Sequence, residues 1–63
     1  MVVFLAADSG LIAAHAIVRI SALNTRPTGN FHEIEYRVGR EPRETRAGEE
    51  AVRRFMELCG HVA

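Results

Sequence analysis

Two segments on either side of residues 24–30 alternate apolar and polar side chains with the two-residue period of β-strands. If residues 24–30 form a hairpin loop, Ile20 lies opposite Ile34 on one face and Arg19 lies opposite Glu35 on the other. Both pairings are favourable between antiparallel strands, and a one-residue slip would lose both. This double match predicts an antiparallel sheet. The same register sets Val18 opposite Tyr36, Ala16 opposite Val38 and Leu23 opposite Phe31.

Residues 39–42, Gly-Arg-Glu-Pro, predict a four-residue turn into a following strand at 43–46. The resulting register sets Arg37 opposite Glu44 and Glu35 opposite Arg46, so the outer face carries a ladder of opposite charges. Each exposed pair contributes only about 0.2–1 kcal/mol, and the ladder matters mainly because it fixes the register.

Residues 2–7 predict a further strand, which returns through a three-residue loop, Asp8-Ser9-Gly10, into residues 11–23. A helix over residues 10–23, capped by Asp8 or Ser9, is the alternative. Pairing across the loop turns one apolar set toward the helix: Val2, Phe4, Ala6, Ile12, Ala14, Val18 and Ile20. It turns a second apolar set away from the helix: Val3, Leu5, Ala7, Leu11, Ala13 and Ile17.

Residues 47–60 predict an amphipathic helix, because apolar side chains recur at helical spacing along one stripe. Phe55 is the largest of them and is expected at the centre of the helix–sheet core. Glu49 and Glu50 lie in the first turn, where the helix dipole favours acidic side chains, and Gly60 suits the C-terminal end. The stripe consists of Gly48, Ala51, Val52, Phe55, Leu58 and Cys59.

These elements predict one α+β domain, a small antiparallel β-meander of about four to five strands with one C-terminal α-helix packed on one face. The strands are placed at residues 2–7, 11–23 with a break near 13–15, 31–38 and 43–46, and the helix at 47–60.

The 63-residue length puts the chain near the lower limit for folding without disulfides or metals. Cys59 is the only cysteine, so no disulfide can form within the chain, and a reducing compartment is expected. The opening residues, MVVFLAAD, lack the basic start of a signal peptide, and no segment approaches the roughly 20 apolar residues of a membrane span. The sequence therefore predicts a soluble cytoplasmic domain.

All 8 basic residues are arginines, and 8 acidic residues balance them. Arg26 in the 24–30 loop and Arg40 and Arg43 in the 39–43 loop suit phosphate contacts, which leaves nucleic-acid binding as an alternative function. The zero net charge argues against it, because nucleic-acid binders usually carry a clear basic excess. Abundant alanine and arginine are more simply explained by a GC-rich bacterial genome.

No residue pattern predicts catalysis, a cofactor or a metal site. Cys59 lies on the core stripe, and His15 and His32 fall on opposite faces of the predicted sheet, so no zinc site with His61 is expected. Glu33 projects beside arginines, which predicts a surface ion pair and not an acid–base couple.

The apolar side chains of the N-terminal half exceed what one helix can cover. A sheet region that is apolar on both faces is expected where something packs on each of them. We therefore expect a non-catalytic interaction or accessory module that forms a homodimer, with a different protein as the alternative partner. The predicted interface consists of Val3, Leu5, Leu11, Ala13 and Ile17.

Overall fold

The computed structural model of the chain describes residues 2–62, and for residues 61 and 62 it describes the backbone alone. It contains an antiparallel sheet region and one C-terminal helix, which confirms the predicted α+β class. The elements are β1 Phe4–Ala7, β2 Gly10–Ala13, a 3₁₀ turn Ala14–Ala16, β3 Ile17–Ile20, β4 Asn24–Arg26, β5 Gly29–Val38, β6 Glu41–Gly48 and α1 Glu49–Val62.

The long strand β5 organises the larger sheet. β3 and β4 pair with one of its edges and β6 pairs with the other, all antiparallel. β1 and β2 form a separate two-stranded sheet. This hairpin meets β6 where the Asp8 N–H donates a hydrogen bond to the Arg46 carbonyl at 2.8 Å.

The predicted register between β3 and β5 is confirmed at the two pairs that specified it, one on each face of the sheet. Ile20 lies opposite Ile34, and Arg19 lies opposite Glu35. The prediction that Val18 lies opposite Tyr36 is wrong, because the register shifts before Arg19 and places Ile17 at that position. Ile17 and Val18 are both apolar and β-branched, so alternation alone does not choose between them. The predicted pairing of Ala16 with Val38 is also wrong, since Ala16 belongs to the 3₁₀ turn.

The break expected near residues 13–15 coincides with this 3₁₀ turn. The alternative helix over residues 10–23 is wrong, because the residues on both sides of the turn pair as strands. The predicted strand 11–23 is therefore two strands, β2 and β3.

The predicted seven-residue loop at 24–30 is wrong. Residues 24–26 form β4, and Asn24, rather than Leu23, lies opposite Phe31. Ser21 stabilises the kink that joins β3 to β4, because its hydroxyl accepts a hydrogen bond from the Glu33 N–H at 2.8 Å. Only Pro27 and Thr28 remain in the turn.

The turn between β5 and β6 is shorter than predicted, since Val38 lies opposite Glu41 and leaves only Gly39 and Arg40 between the strands. Gly39 has a φ of 64°, as the first position of a type II′ hairpin turn requires. Pro42, predicted to be the last residue of the turn, lies within β6, where an edge strand tolerates proline.

This register overturns part of the predicted charge ladder. Glu35 lies opposite Glu44, and Glu33 lies opposite Arg46, so the predicted pairs Arg37–Glu44 and Glu35–Arg46 are wrong. The shift is two residues, so every side chain keeps its predicted face.

In the N-terminal hairpin, β1 has the opposite faces to those predicted, whereas β2 keeps its predicted faces. Ala7 lies opposite Gly10, so the loop contains two residues and not three. A one-residue change in register turns every side chain of one strand over. Leu5 and Ile12 are therefore opposite each other in the core, while Phe4 projects outward.

The core lies between α1 and the inner faces of both sheets. α1 packs against β1, β5 and β6. Phe55 is buried, as predicted, whereas Leu58 on the predicted stripe is 47% exposed and Gly60 lies inside the helix. The buried set consists of Val3, Leu5, Ile12, Ile34, Ala47, Val52 and Phe55.

Leu5→Ala tests the face assignment of the hairpin. Leu5 has 0% exposure, so truncation should lower the free energy of unfolding by about 2–5 kcal/mol. Leu58→Ala, the same change on the exposed side of α1, should cost less than about 1 kcal/mol. Urea denaturation of both variants gives the comparison; equal losses would contradict the assignment.

Candidate functional site

The outer face of the β1–β2 hairpin is apolar and exposed. Phe4 lies opposite Ala13, and Ala6 lies opposite Leu11, so these four side chains form one continuous surface. Phe4 is 49% exposed and Leu11 is 72% exposed. Val2 precedes the strand and is also exposed. We call this surface the hairpin outer face; it consists of Val2, Phe4, Ala6, Leu11 and Ala13.

Large and small side chains alternate over this surface in both directions. Phe4 is followed on its own strand face by Ala6 and is paired across the strands with Ala13. Leu11 occupies the opposite corner. The two large residues therefore form one diagonal and the two alanines form the other. A two-fold axis running along the strands between β1 and β2 would place Phe4 of each copy over Ala13 of the other.

The interface predicted from the sequence is only partly exposed. Val3 and Leu5 are buried in the core, so the prediction that they face away from the helix is wrong. Ile17 is half-buried and packs against the same core. Leu11 and Ala13 do lie on the hairpin outer face. Phe4 was missed from the sequence because both faces of the hairpin are apolar, so the alternation of side chains does not indicate which face is exposed.

The chain exposes more surface than its mass requires. A globular monomer of 7.0 kDa exposes about 4,000 Å², whereas this chain exposes 4731 Å². The excess of roughly 700 Å² fits a thin molecule, whose shortest dimension is 18 Å. The radius of gyration, 11.5 Å, also exceeds the ~10.6 Å expected for this length.

The three arginines proposed for nucleic-acid contacts do not come together. Arg26 lies at the β4–β5 end of β5, and Arg40 and Arg43 lie at the β5–β6 end. β5 has 10 residues, so the two ends are about 30 Å apart. Arg43 is paired with Glu41 at 3.0 Å.

A cleft of about 390 Å³ opens between the β4–β5 turn, the β1–β2 turn and the end of β6. Arg46 borders it, and the guanidinium carbon lies 4.3 Å from the centre of the Phe31 ring. Such cation–π contacts stabilise by about 0.5–1 kcal/mol at exposed sites. Sequence reasoning missed Arg46, because the wrong turn length paired it with Glu35. We call this the arginine cleft; it is lined by Asp8, Arg26, Thr28, Gly29, Asn30, Phe31, Arg46, Ala47 and Gly48.

The histidines and the cysteine have ordinary structural surroundings where they are described. His32 donates a hydrogen bond from Nδ1 to the Ser21 carbonyl at 2.8 Å. His15 is exposed in the 3₁₀ turn, and Cys59 is half-buried against the core. The side chain of His61, named with Cys59 in the sequence analysis, lies outside the described residues. Within the described part, no three His, Cys, Asp or Glu side chains are grouped as a metal would require.

Comparisons with models of protein families, with curated proteins and with solved structures found no match. Between residues 2 and 62, no helix has the length and apolar character needed to cross a membrane. Function is therefore inferred from the two surfaces described above, the hairpin outer face and the arginine cleft.

The contact between Arg46 and Phe31 predicts a spectroscopic signature. The side-chain protons of Arg46 should be shifted upfield by the ring current of Phe31. Phe31→Leu keeps an apolar side chain at this position but removes the ring, and should return these resonances to ordinary values. Arg37, on the same strand as Phe31, serves as the internal control and should not respond. Unchanged Arg46 resonances in the variant would show that the contact is absent in solution.

Proposed function

We propose that this chain is a small non-catalytic interaction module that forms a homodimer through the hairpin outer face. The observation that carries the proposal is the exposure of Phe4 and Leu11 on a hairpin whose other face is already buried in the core. Exposed apolar surfaces of this kind mark sites of protein association.

The alternation of large and small side chains favours a second copy as the partner. Under the two-fold axis described above, Phe4 of one copy packs over Ala13 of the other, and Leu11 packs over Ala6. A surface that complements itself needs no second sequence to fill its hollows. The zero net charge of the chain adds no long-range repulsion between two copies.

The energy available suits a dimer of moderate affinity. Burial of a Phe or Leu side chain contributes about 1.5–3 kcal/mol, and a symmetric interface buries each of them twice. Association costs at least about 4 kcal/mol in lost translational and rotational freedom. The dimer should therefore form in the micromolar to millimolar range and not at nanomolar concentration.

We place the module in the cytoplasm, as a homodimer without a cofactor. The single cysteine supports a reducing compartment. Nucleic-acid binding through Arg26, Arg40 and Arg43 is less well supported, because Arg43 lies about 23 Å along β5 from Arg26 and Arg40 lies farther still. Arg43 also already has an acidic partner.

Leu11→Glu tests the proposal against Leu58→Glu. Both substitutions place a carboxylate at an exposed leucine, but only Leu11 lies on the hairpin outer face. Sedimentation equilibrium should give a concentration-dependent mass approaching twice 7.0 kDa for the wild type and for Leu58→Glu. Leu11→Glu should remain at the monomer mass, because a buried unpaired charge is strongly unfavourable.

A wild-type mass of 7.0 kDa at every concentration would contradict self-association. A dimer that survives Leu11→Glu would place the interface on another surface. Equal thermal melting of the two variants at low concentration serves as the control for folding.

A further inference from the structure

Arg46 is held in the arginine cleft with its charge unpaired. Its cross-strand neighbour is Glu33, yet no carboxylate among the described residues lies within ion-pair distance of its guanidinium. The guanidinium is stacked on Phe31 instead, at 4.3 Å from the ring centre. Stacking occupies the flat face of the group and leaves its N–H edge to bind. The contact also orders a long side chain in advance, which reduces the entropy lost on binding a ligand.

Arg26 supplies a second guanidinium to the same cleft. It lies opposite Gly29 across the tight β4–β5 turn, and it too makes no ion pair with a described residue. Gly29 and Gly48 line the cleft, and a Cβ built on either would meet no atom within 4 Å. Open space therefore adjoins both glycines at the lining of the cleft, so a side chain at position 48 should reduce the room for a ligand.

We propose that the arginine cleft binds a small phosphorylated compound, with Arg26 and Arg46 contacting its phosphate group. Planar guanidinium groups match phosphate oxygens with paired hydrogen bonds. The volume of about 390 Å³ lies at the lower end of small-molecule sites, which fits a sugar phosphate or a mononucleotide.

The acidic groups near the cleft define the rest of the ligand. Glu49 accepts a hydrogen bond from the Asn30 side-chain amide at 3.2 Å, which ties it to the rim. Asp8 lines the cleft and can accept hydrogen bonds only from a donor. A sugar phosphate or a nucleotide can donate a hydrogen bond to Asp8 from a hydroxyl or amino group away from its phosphate, while the arginines hold the phosphate itself. Inorganic phosphate has only its own P–OH groups to offer and cannot span both contacts. The site therefore favours ribose 5-phosphate or adenosine monophosphate over inorganic phosphate.

The test is a titration of ¹⁵N-labelled protein with inorganic phosphate, ribose 5-phosphate, adenosine monophosphate and adenosine. The two organic phosphates should bind more tightly than inorganic phosphate and should shift the amide resonances of Arg26, Gly29 and Gly48. Adenosine, which lacks the phosphate, should shift none of them. Affinity should fall about tenfold or more in Arg26→Gln and in Arg46→Gln, because each variant removes a charge-assisted contact.

Two further variants distinguish binding in the cleft from non-specific electrostatic attraction. Arg40→Gln makes the same charge change at the far end of β5 and should leave affinity unchanged. Gly48→Val leaves every charge in place but fills the cleft, and its φ is not in the left-handed region, so it should fold and lose binding. Dispersed amide spectra for all variants confirm folding.

Several results would overturn the proposal. Adenosine binding as tightly as its monophosphate would show that the phosphate is not recognised. An equal loss of affinity in Arg40→Gln and Arg26→Gln would show that binding depends on the overall positive charge and not on the cleft. A third result would be binding of a thymidine oligonucleotide. If its affinity falls equally in Arg26→Gln and Arg40→Gln, and falls steeply with salt, the arginines belong to an extended nucleic-acid surface instead.

Discussion

The rest of the structure depends on the packing of one helix, α1, against the inner faces of the two sheets. α1 contributes Val52 and Phe55 to the core that it shares with both sheets, and a single helix can cover only one face of the hairpin. Whatever apolar surface faces the other way is therefore left exposed. The two-residue turn after Ala7 decides which surface that is, because it sets Leu5 opposite Ile12 inside the core.

The exposed face of the hairpin is the consequence, and it links the fold to the proposed function. Phe4 and Leu11 cannot reach the helix without a change of register that would expose Leu5 and Ile12. A chain with such a thin core gains stability if a second copy covers these side chains. The arginine cleft is lined by residues of β4, β5, β6 and the turns between β1 and β2 and between β4 and β5. None of the hairpin-outer-face residues lines it, so the two surfaces can act independently.

How much the sequence could predict depended on whether the two faces of a strand differ. Arg19 and Ile20 are adjacent residues, one charged and one apolar, so they point to opposite faces of the strand. Each face independently specified the same register, and the pairings with Glu35 and Ile34 are correct. Both faces of the hairpin are apolar, so nothing in its pattern distinguishes a two-residue loop from a three-residue loop. The position of Arg46 could not be predicted, because it depends on the length of the turn before β6. Pro42 suggested a longer turn, but it lies inside β6, and this sets Arg46 opposite Glu33.

The most direct test of self-association through the hairpin outer face is an exchange of large and small side chains between the two strands. Ala6→Leu should weaken the dimer by at least tenfold in sedimentation equilibrium, since it fills the hollow that receives Leu11 of the other copy. Ala6→Leu combined with Leu11→Ala should restore the affinity, because each large side chain again packs over a small one. A double variant as weak as the single one, or a single variant as strong as the wild type, would contradict this packing.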